Sequence, residues 1–569
     1  MPQITLRLNN FLYNASIYGF IQVLKTMEND FLDVNYTIKG NTLTFSSDVF
    51  ENFTEYYLKT LINKFEKDTN YYMIIDKYHA LISHDFTEDS SQYKEFLNFL
   101  SSKLKKFKGY EIIKKRNEKT DILNTLDLLK RKDIDFDTKK IYLKEIVECL
   151  EKHKDIFLLK DIVNTKVKLF WDNIAFLNNN NKNKEMSDCY KNTFIDPVIQ
   201  YLNKKQRKSA NQCIECGRNV SSQKEGSMRW LNDVGVDIKR KISNYWNFNP
   251  DIVVCPICKT VYSCAPLGFY IVGNNALFIN SNTSIEAIIR MNNLNFKMNT
   301  LVDIENAVYY SIARAFNYLS NVESAKKQAN SNIQVVKRVA YKNGTTYQFN
   351  IIVPSVLTVL SEREKEFRQL LNKYYMFSQK ANKKEPRKII NIYDKTIENI
   401  LNNRDLYMLL YDILKDALDS SQKVDFLYAV LKVQISNLMK GVTGMERTER
   451  INKLEKTTFF LRKCGLEIKG TFADNNEIQE SGKLKSYIYK LLTALRINNV
   501  SLFMDTAIRI FNDTKKEIPI TFINMLNDQN QFKILGYAFV LGLLGQDDVS
   551  DKNEFNNKNL TEKGEDENE

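Results

Sequence analysis

Apolar and polar residues alternate over residues 4–8, the period of a half-buried strand. From Phe11 to Met27 the spacing becomes helical, with Leu12, Ala15, Ile17, Phe20, Ile21 and Leu24 recurring on one side. Residues 34–38 and 42–45 then flank Gly40-Asn41, a hairpin signal, so the chain opens as mixed α and β. Helical periodicity dominates from Phe50 to Asn178, and the polar, repetitive stretch 177–184 reads as a solvent-exposed loop. Pro197, Gly217, Gly226, Gly235 and Pro250 punctuate a region with little period of either kind. Two hairpins are predicted beyond it, 269–272 with 277–280 around Gly273-Asn274-Asn275, and 335–341 with 345–353 around Asn343-Gly344. Residues 284–294 and 303–319 carry helical spacing, and from Lys388 to Gly545 the pattern is almost wholly helical, with breaks expected at 441–444, 465–482 and Pro519.

The fold class these patterns predict is α+β, mostly α, in four parts. Residues 1–200 form an α+β N-terminal region with short hairpins. Residues 201–387 hold a metal site and further hairpins, 388–546 form a C-terminal helical bundle, and 547–569 are an acidic, disordered tail. A chain of 569 residues, 43% hydrophobic, is long enough for about three to four domains with real cores. The most apolar stretch, residues 534–545, falls well short of the roughly 20 residues a membrane helix needs. No basic flank precedes an apolar segment at the N-terminus, so a cytoplasmic location with no membrane partner is expected. In that compartment eight cysteines are expected to bind metal or do redox work rather than form disulfides.

Charge sharpens this picture because it is uneven. The formal net charge is +13; nine acids against three lysines after Gln546 give −6 there, which leaves +19 for residues 1–546. A body that basic attracts polyanions, although a Lys- and Asn-rich composition also follows from AT-rich codons. Two basic stretches stand out. Residues 103–119 carry eight Lys or Arg and two Glu, and residues 204–241 carry a net +6 with Trp230, Tyr245 and Trp246 interleaved. The second includes Lys204, Lys205, Arg207, Lys208, Arg229, Lys239, Arg240 and Lys241, cations for phosphates beside rings for bases.

The same region holds the sharpest chemical signal, Cys213-Ile-Glu-Cys216-Gly217 and Cys255-Pro-Ile-Cys258-Lys259. Two residues between cysteines let both thiolates face one ion, and two such knuckles complete the four-sulfur tetrahedral shell of a structural Zn²⁺. A redox dithiol is the alternative; it normally acts singly, at a helix start within a βαβ unit, a setting expected of neither pair. The spacer of residues 217–254 is long for a compact ribbon and predicts an insertion between the knuckles. Cys264, six residues past Cys258, is a rival ligand; read otherwise, it joins Cys149, Cys189 and Cys464 as ordinary buried or half-exposed thiols.

Catalytic motifs are missing from the sequence: it contains no G-x-x-x-x-G-K-[ST], G-x-S-x-G or G-x-G-x-x-G. His84-Asp85 suggests a metal-dependent nuclease, but His79 and His153 are too few to complete a two-metal site. A stand-alone zinc-ribbon nucleic-acid binder is a third reading. No enzyme activity is expected.

The paired knuckles, together with LNNFLYNASIYGFIQVL near the N-terminus and YKLLTALRINNVSLFMDTAIRIF followed by FKILGYAFVLGLLG near the C-terminus, resemble the CxxC/CxxC large subunit of type I-B CRISPR effector (Cascade) complexes. The likeness runs from about residue 4 to about 546 and leaves out the Asn-rich loop and the acidic tail. It implies a non-enzymatic subunit that binds the 5′-handle end of the guide CRISPR RNA, recognises the protospacer-adjacent motif in target double-stranded DNA, and helps open it. Such a subunit also recruits the separate helicase-nuclease and contacts backbone and handle-processing subunits. It further implies a C-terminal bundle resembling the complex's small subunit, which a start at Met445 would make as a separate product of 125 residues. Candidate contacts are Lys337, Arg338 and Lys342 for nucleic acid, and Asn180, Asn181, Asn274, Asn275 and Asn343 for reading the adjacent motif or wedging the duplex.

Overall fold

The computed structural model describes residues 2–83, 86–107, 110–115, 122–203, 211–233, 252–293, 333–341, 344–378, 388–420, 422–474, 478–522 and 529–545. They fall into two compact units. Described residues up to 293, with 333–351, form the first, and those from 352 onward the second. The boundary expected at 200/201 therefore lies inside the first unit, and the second begins before the expected 388.

In the first unit β1 (Gln3–Arg7) leads into α1 (Phe11–Asn29), and β2 (Tyr36–Lys39) and β3 (Thr42–Ser46) make the expected hairpin. The sheet order is β1-β3-β2, with Gln3 opposite Ser46 and Tyr36 opposite Phe45. Asn10 caps α1 by accepting from the Tyr13 amide, 2.9 Å. Almost all of α1 from Leu12 to Leu24 is buried, including Asn14 and Ser16, so this helix is the axis of the unit rather than a surface helix. It packs against α2 (Val49–Phe65), and α3 (Asn70–Ile82), α4 (Ser91–Leu104), α5 (Tyr110–Lys115), α6 (Ile122–Leu128), α7 (Phe136–Lys152) and α8 (Lys154–Thr165) follow. Next come α9 (Met186–Tyr190), α10 (Asp196–Asn203), α11 (Gln223–Gly226), α12 (Pro256–Ser263) and α13 (Ala265–Gly268). Stretch 177–184 is exposed or half-buried, as expected of a solvent-facing loop, and its backbone is tied down. Short 3₁₀ turns at Ala175–Leu177 and Asn179–Asn181 are held by Asn181 Nδ2 donating to Ala175 O, 2.9 Å, and by Lys160 Nζ donating to Lys182 O, 3.1 Å.

The two later hairpins merge into one sheet. β4 (Tyr270–Val272), β5 (Asn275–Asn280), β6 (Ile333–Tyr341) and β7 (Gly344–Ile352) lie in that order, and α14 (Ile285–Asn292), capped by Ser284, follows β5. The union comes from β5 pairing with β6, Phe278 opposite Val336, a long-range contact that local pattern does not encode. The helix expected at 303–319 and the tail 547–569 lie outside the described residues.

The second unit is helical, with a two-stranded ribbon, β8 (Tyr374–Met376) and β9 (Ile389–Asn391), near its start. Its centre is the helix Gln529–Leu544, buried from Phe532 to Leu543 and packed against the helices Gly444–Asp474, Ile478–Arg496, Leu427–Leu438 and Tyr407–Ser420. The break expected at 441–444 is present; Gly444 sits at φ +69 where the next helix starts. That expected within 465–482 is met too, since the helices Gly444–Asp474 and Ile478–Arg496 are separate there, but Gly465 itself does not make it. The helix Gly444–Asp474 runs straight through Gly465, because this glycine lets the helix Gln529–Leu544 approach: a Cβ there would lie 2.5 Å from Phe539 O, and one at Gly542 would lie 2.0 Å from Arg462 O.

Candidate metal centre and basic surfaces

The first knuckle is a tight turn closed on itself. Cys213 N donates to Arg218 O and Gly217 N to Cys213 O, each 2.8 Å, and Gly217 has φ +68, where a residue without Cβ fits at no cost. Ile214 N donates to Val253 O, 3.0 Å, which brings the knuckle beside the chain entering the second pair. That pair opens a helix, contrary to the expectation. Cys255 is the N-cap of α12, its sulfur accepting from Cys258 N at 3.5 Å, with Pro256 in the first turn. Among the described residues no βαβ unit surrounds it, and its sulfurs lie beside the first pair instead of standing alone.

The four Sγ atoms lie within 4.8 Å of one another, with Cys216 and Cys255 3.6 Å apart. Sulfurs at about 2.3 Å from a tetrahedral ion are about 3.8 Å from each other, so the cluster has the span of a four-thiolate metal shell. Cys213, Cys255 and Cys258 are buried, and Cys216 is half-buried. As bare thiols they titrate apart. Hydrogen bonds with Cys213, Cys255 and Cys258 hold Cys216 far below the ordinary thiol range, while those with Cys213 and Cys216 push Cys255 and Cys258 well above it. A cation at the centre removes that conflict, since all four become thiolates together. Cys264, although close in sequence, is buried outside the cluster and pushed up by burial.

Sequence reasoning missed what surrounds the sulfurs, which comes from α1. Tyr13, buried in the core, has its hydroxyl 3.1 Å from Cys258 Sγ. Glu215, between the first two cysteines, accepts from Asn9 Nδ2 and Asn10 Nδ2, each 2.9 Å, and from the Tyr262 hydroxyl, 2.6 Å. Burial raises its carboxyl above the usual range despite these bonds. Buried Asn14 continues the chain of amides, accepting from Asn9 N at 2.7 Å and donating to Asn280 Oδ1 and Asn282 Oδ1, each 2.8 Å. The contact is close because of two glycines: a Cβ on Gly19 would lie 2.1 Å from Cys264 O, and one on Gly268 would lie 1.9 Å from Ala15 O. The signal available in the sequence was the polar set Asn9 and Asn10, just before α1, and Asn14 in its largely apolar first half.

The basic candidates divide. Arg338 is a correction: it is 5% exposed, paired to Asp233 at 3.0 Å and donating to Asn274 O at 3.0 Å, so it holds the β4–β5 turn against β6 and offers no cation to a phosphate. Asn275 is corrected likewise, its Oδ1 accepting from Ala340 N, 3.0 Å, within the sheet. Asn181 is bound to Ala175 O, whereas Asn180 and Asn274 are exposed. Trp230 stands in the core against Trp171 and Phe194, with ring centres 6.0 and 5.5 Å away, and presents no face to a base. Arg229 is exposed and Lys337 half-buried on β6. Lys204, Lys205, Arg207, Lys208, Lys239, Arg240, Lys241, Lys342, Asn343, His84 and Asp85 lie outside the described residues. His79 is exposed on α3 and His153 is buried where α7 meets α8. No helix among the described residues is long and apolar enough to cross a membrane.

Four clustered cysteines in two knuckles, packed against the chain's own first helix, could hold a metal ion and point to a class rather than an activity. Residues 206–270, which contain all four cysteines, match the family model described as CRISPR-associated protein (Cas_CXXC_CXXC). No curated protein and no solved structure matched it.

Proposed function

We propose that this protein is the large subunit of a type I-B CRISPR RNA-guided DNA surveillance complex. In that role it binds the 5′-handle end of the guide RNA, recognises the protospacer-adjacent motif, helps part the target duplex, and recruits the helicase-nuclease. The observation that carries the reading is the family match centred on the four-thiol cluster. Support comes from the +19 charge of residues 1–546 and from the helical second unit, in the place where the sequence resembles such a subunit's bundle. The ion is proposed to be Zn²⁺, held by Cys213, Cys216, Cys255 and Cys258. Its work is structural, since a shell of four thiolates leaves no open position for a reacting group.

The function is tested by purifying the tagged protein with its associated RNA from the native host. Repeat-derived guide RNA and co-purifying backbone subunits, with target binding that depends on the adjacent motif, are the expected result. A protein that carries no such RNA, or that cleaves DNA or RNA with Mg²⁺ or Mn²⁺ and stops when His84→Ala is made, is some other protein. The internal start is part of the proposal: Met445 is 82% exposed at the head of its helix. In the full chain, Arg447 two residues on pairs with Glu362 at 2.7 and 2.8 Å and donates to Ser436 O, partners that a product from Met445 would lack. Met445→Leu should remove the short species from the complex's mass spectrum.

A further inference from the structure

We propose that Phe31, at the end of α1, together with the acid-lined hollow beside it, is a docking surface for another polypeptide. The inference goes beyond the proposed function, which names no residue for a protein contact, and rests on it only in taking the partner from the same complex.

Phe31 breaks two rules at once. Its ring is 97% exposed, the barest large apolar side chain among the described residues. Its backbone is left-handed, φ +61, a conformation in which a Cβ crowds the following carbonyl. Eight non-glycine residues among those described have positive φ; five are Asn or Asp, whose short polar side chains tolerate it, and Phe31 is the one aromatic. The turn explains the conformation but not the residue. Phe31 N donates to Glu28 O at 3.0 Å and Leu32 N to Met27 O at 3.2 Å, the paired closure of a helix C-terminus whose left-handed position is usually glycine. Glycine or asparagine would close α1 with less strain and put no ring in water. Since α1 is the buried axis of its unit, the ring also stands on a frame that does not yield. A large apolar group held rigidly in solvent, despite the strain, has the form of an anchor whose partner supplies the pocket.

The neighbouring surface selects the chemistry of that partner. Asp30 pairs with Lys59 of α2. On the same helix Glu51, Thr54 and Glu55 join Lys59, with Ser187 and Lys191 at α9, around a hollow of about 520 Å³. Glu51 and Glu55 are exposed on one face of α2 and make no ion pair among the described residues, and Thr54 Oγ1 is buried there without a hydrogen-bond partner. Residues 25–33 and 51–59 carry five acids against two lysines, a net −3 on a chain that is +13 as a whole. A phosphate backbone is repelled by such a face. A protein that sets an apolar pocket over Phe31 and sends a Lys or Arg into the hollow, against Glu51, Glu55 and the Thr54 hydroxyl, satisfies all of it.

The test uses the full chain co-expressed with the other subunits and guide RNA of its complex. On irradiation, p-benzoylphenylalanine in place of Phe31 should crosslink to a protein subunit, at a peptide with Lys or Arg beside apolar residues. Phe31→Gly in the isolated chain should melt about 2 °C above wild type, because strain and exposed ring are removed together. The same variant should bind the rest of the complex, in biolayer interferometry, about tenfold more weakly or worse, with Phe31→Trp within about threefold of wild type. Glu51→Gln with Glu55→Gln should weaken that binding at low salt and lessen its salt dependence. The proposal falls if Phe31→Gly binds as wild type does, or melts below it, which would make the ring a part of the fold. It falls equally if no protein crosslink forms, or if the crosslink is to guide RNA or target DNA, which would make Phe31 a wedge between bases. Equal binding by wild type and Phe31→Gly sinks this surface alone; a wild-type chain that joins no guide-RNA complex sinks the wider function, and the partner named here with it.

Discussion

Tyr13 and Glu215 do at the level of single residues what the cysteine motif cannot do for itself. A thiolate on a metal is a strong hydrogen-bond acceptor, and a donor fixed at 3.1 Å orients it and spreads its charge. Tyr13→Phe keeps the ring packed against Tyr262, 5.1 Å away, and removes only the hydroxyl. It should leave the fold intact and lower metal affinity roughly tenfold or more, measured by competition with a chromogenic chelator. Replacing ligands is harsher. Cys213→Ser with Cys216→Ser should abolish stoichiometric metal by elemental analysis and lower the melting temperature of the first unit, since metal binding is part of its folding free energy. Unchanged melting would mean the cluster holds no structural ion. The four ligands were legible because a C-x-x-C pair has one short-range geometry. Tyr13 and Glu215 were not, because nothing local says that residue 13 will meet residue 258.

Among elements, glycine carries the clearest difference between sequence and structure. Gly465 reads as a helix breaker, and Gly19 and Gly268 read as nothing in particular. In the folded protein all three sit where one backbone touches another, and only the facing element reveals why. Gly19→Ala and Gly542→Ala put a methyl group 2.1 and 2.0 Å from a backbone oxygen, which cannot swing away, so each should cost about 1–3 kcal/mol or more in chemical denaturation. Gly470→Ala is the control on the same helix as Gly465. It meets nothing within 4 Å, and removing glycine flexibility from an exposed helix should stabilise by about 0.5–1 kcal/mol. If Gly470→Ala and Gly542→Ala shift stability alike, the close-approach explanation fails.

For the molecule as a whole, the four-cysteine cluster belongs to the first unit and not to the knuckle segment alone. The segment 206–270 that matches the family model contains the four sulfurs, but Asn9, Asn10 and Tyr13 lie outside it. Expressed by itself, that segment should bind Co²⁺ or Zn²⁺ more weakly than the full chain, by about tenfold or more in a chelator competition, and an equal affinity would show that α1 adds nothing. The charge argument also changes at this scale. Arg338 and Trp230, chosen as a phosphate and a base contact, are core residues, so residue type alone overstates what the surface offers.

The sequence by itself determined the strands and helices of the first 50 residues, the hairpins, the helical second half and the four sulfur ligands. Each of these depends on residues within a few positions of one another, through side-chain period, turn chemistry or knuckle spacing. Tertiary structure alone decided that β5 and β6 join two hairpins into one sheet, that α1 forms the outer shell of the metal centre, and that Gly465 continues a helix instead of ending it. It also turned Arg338 inward and left Phe31 outward at the end of α1. These outcomes depend on which surface meets which after burial, and a side chain's chemistry is spent only once its neighbour in space, not in sequence, is fixed.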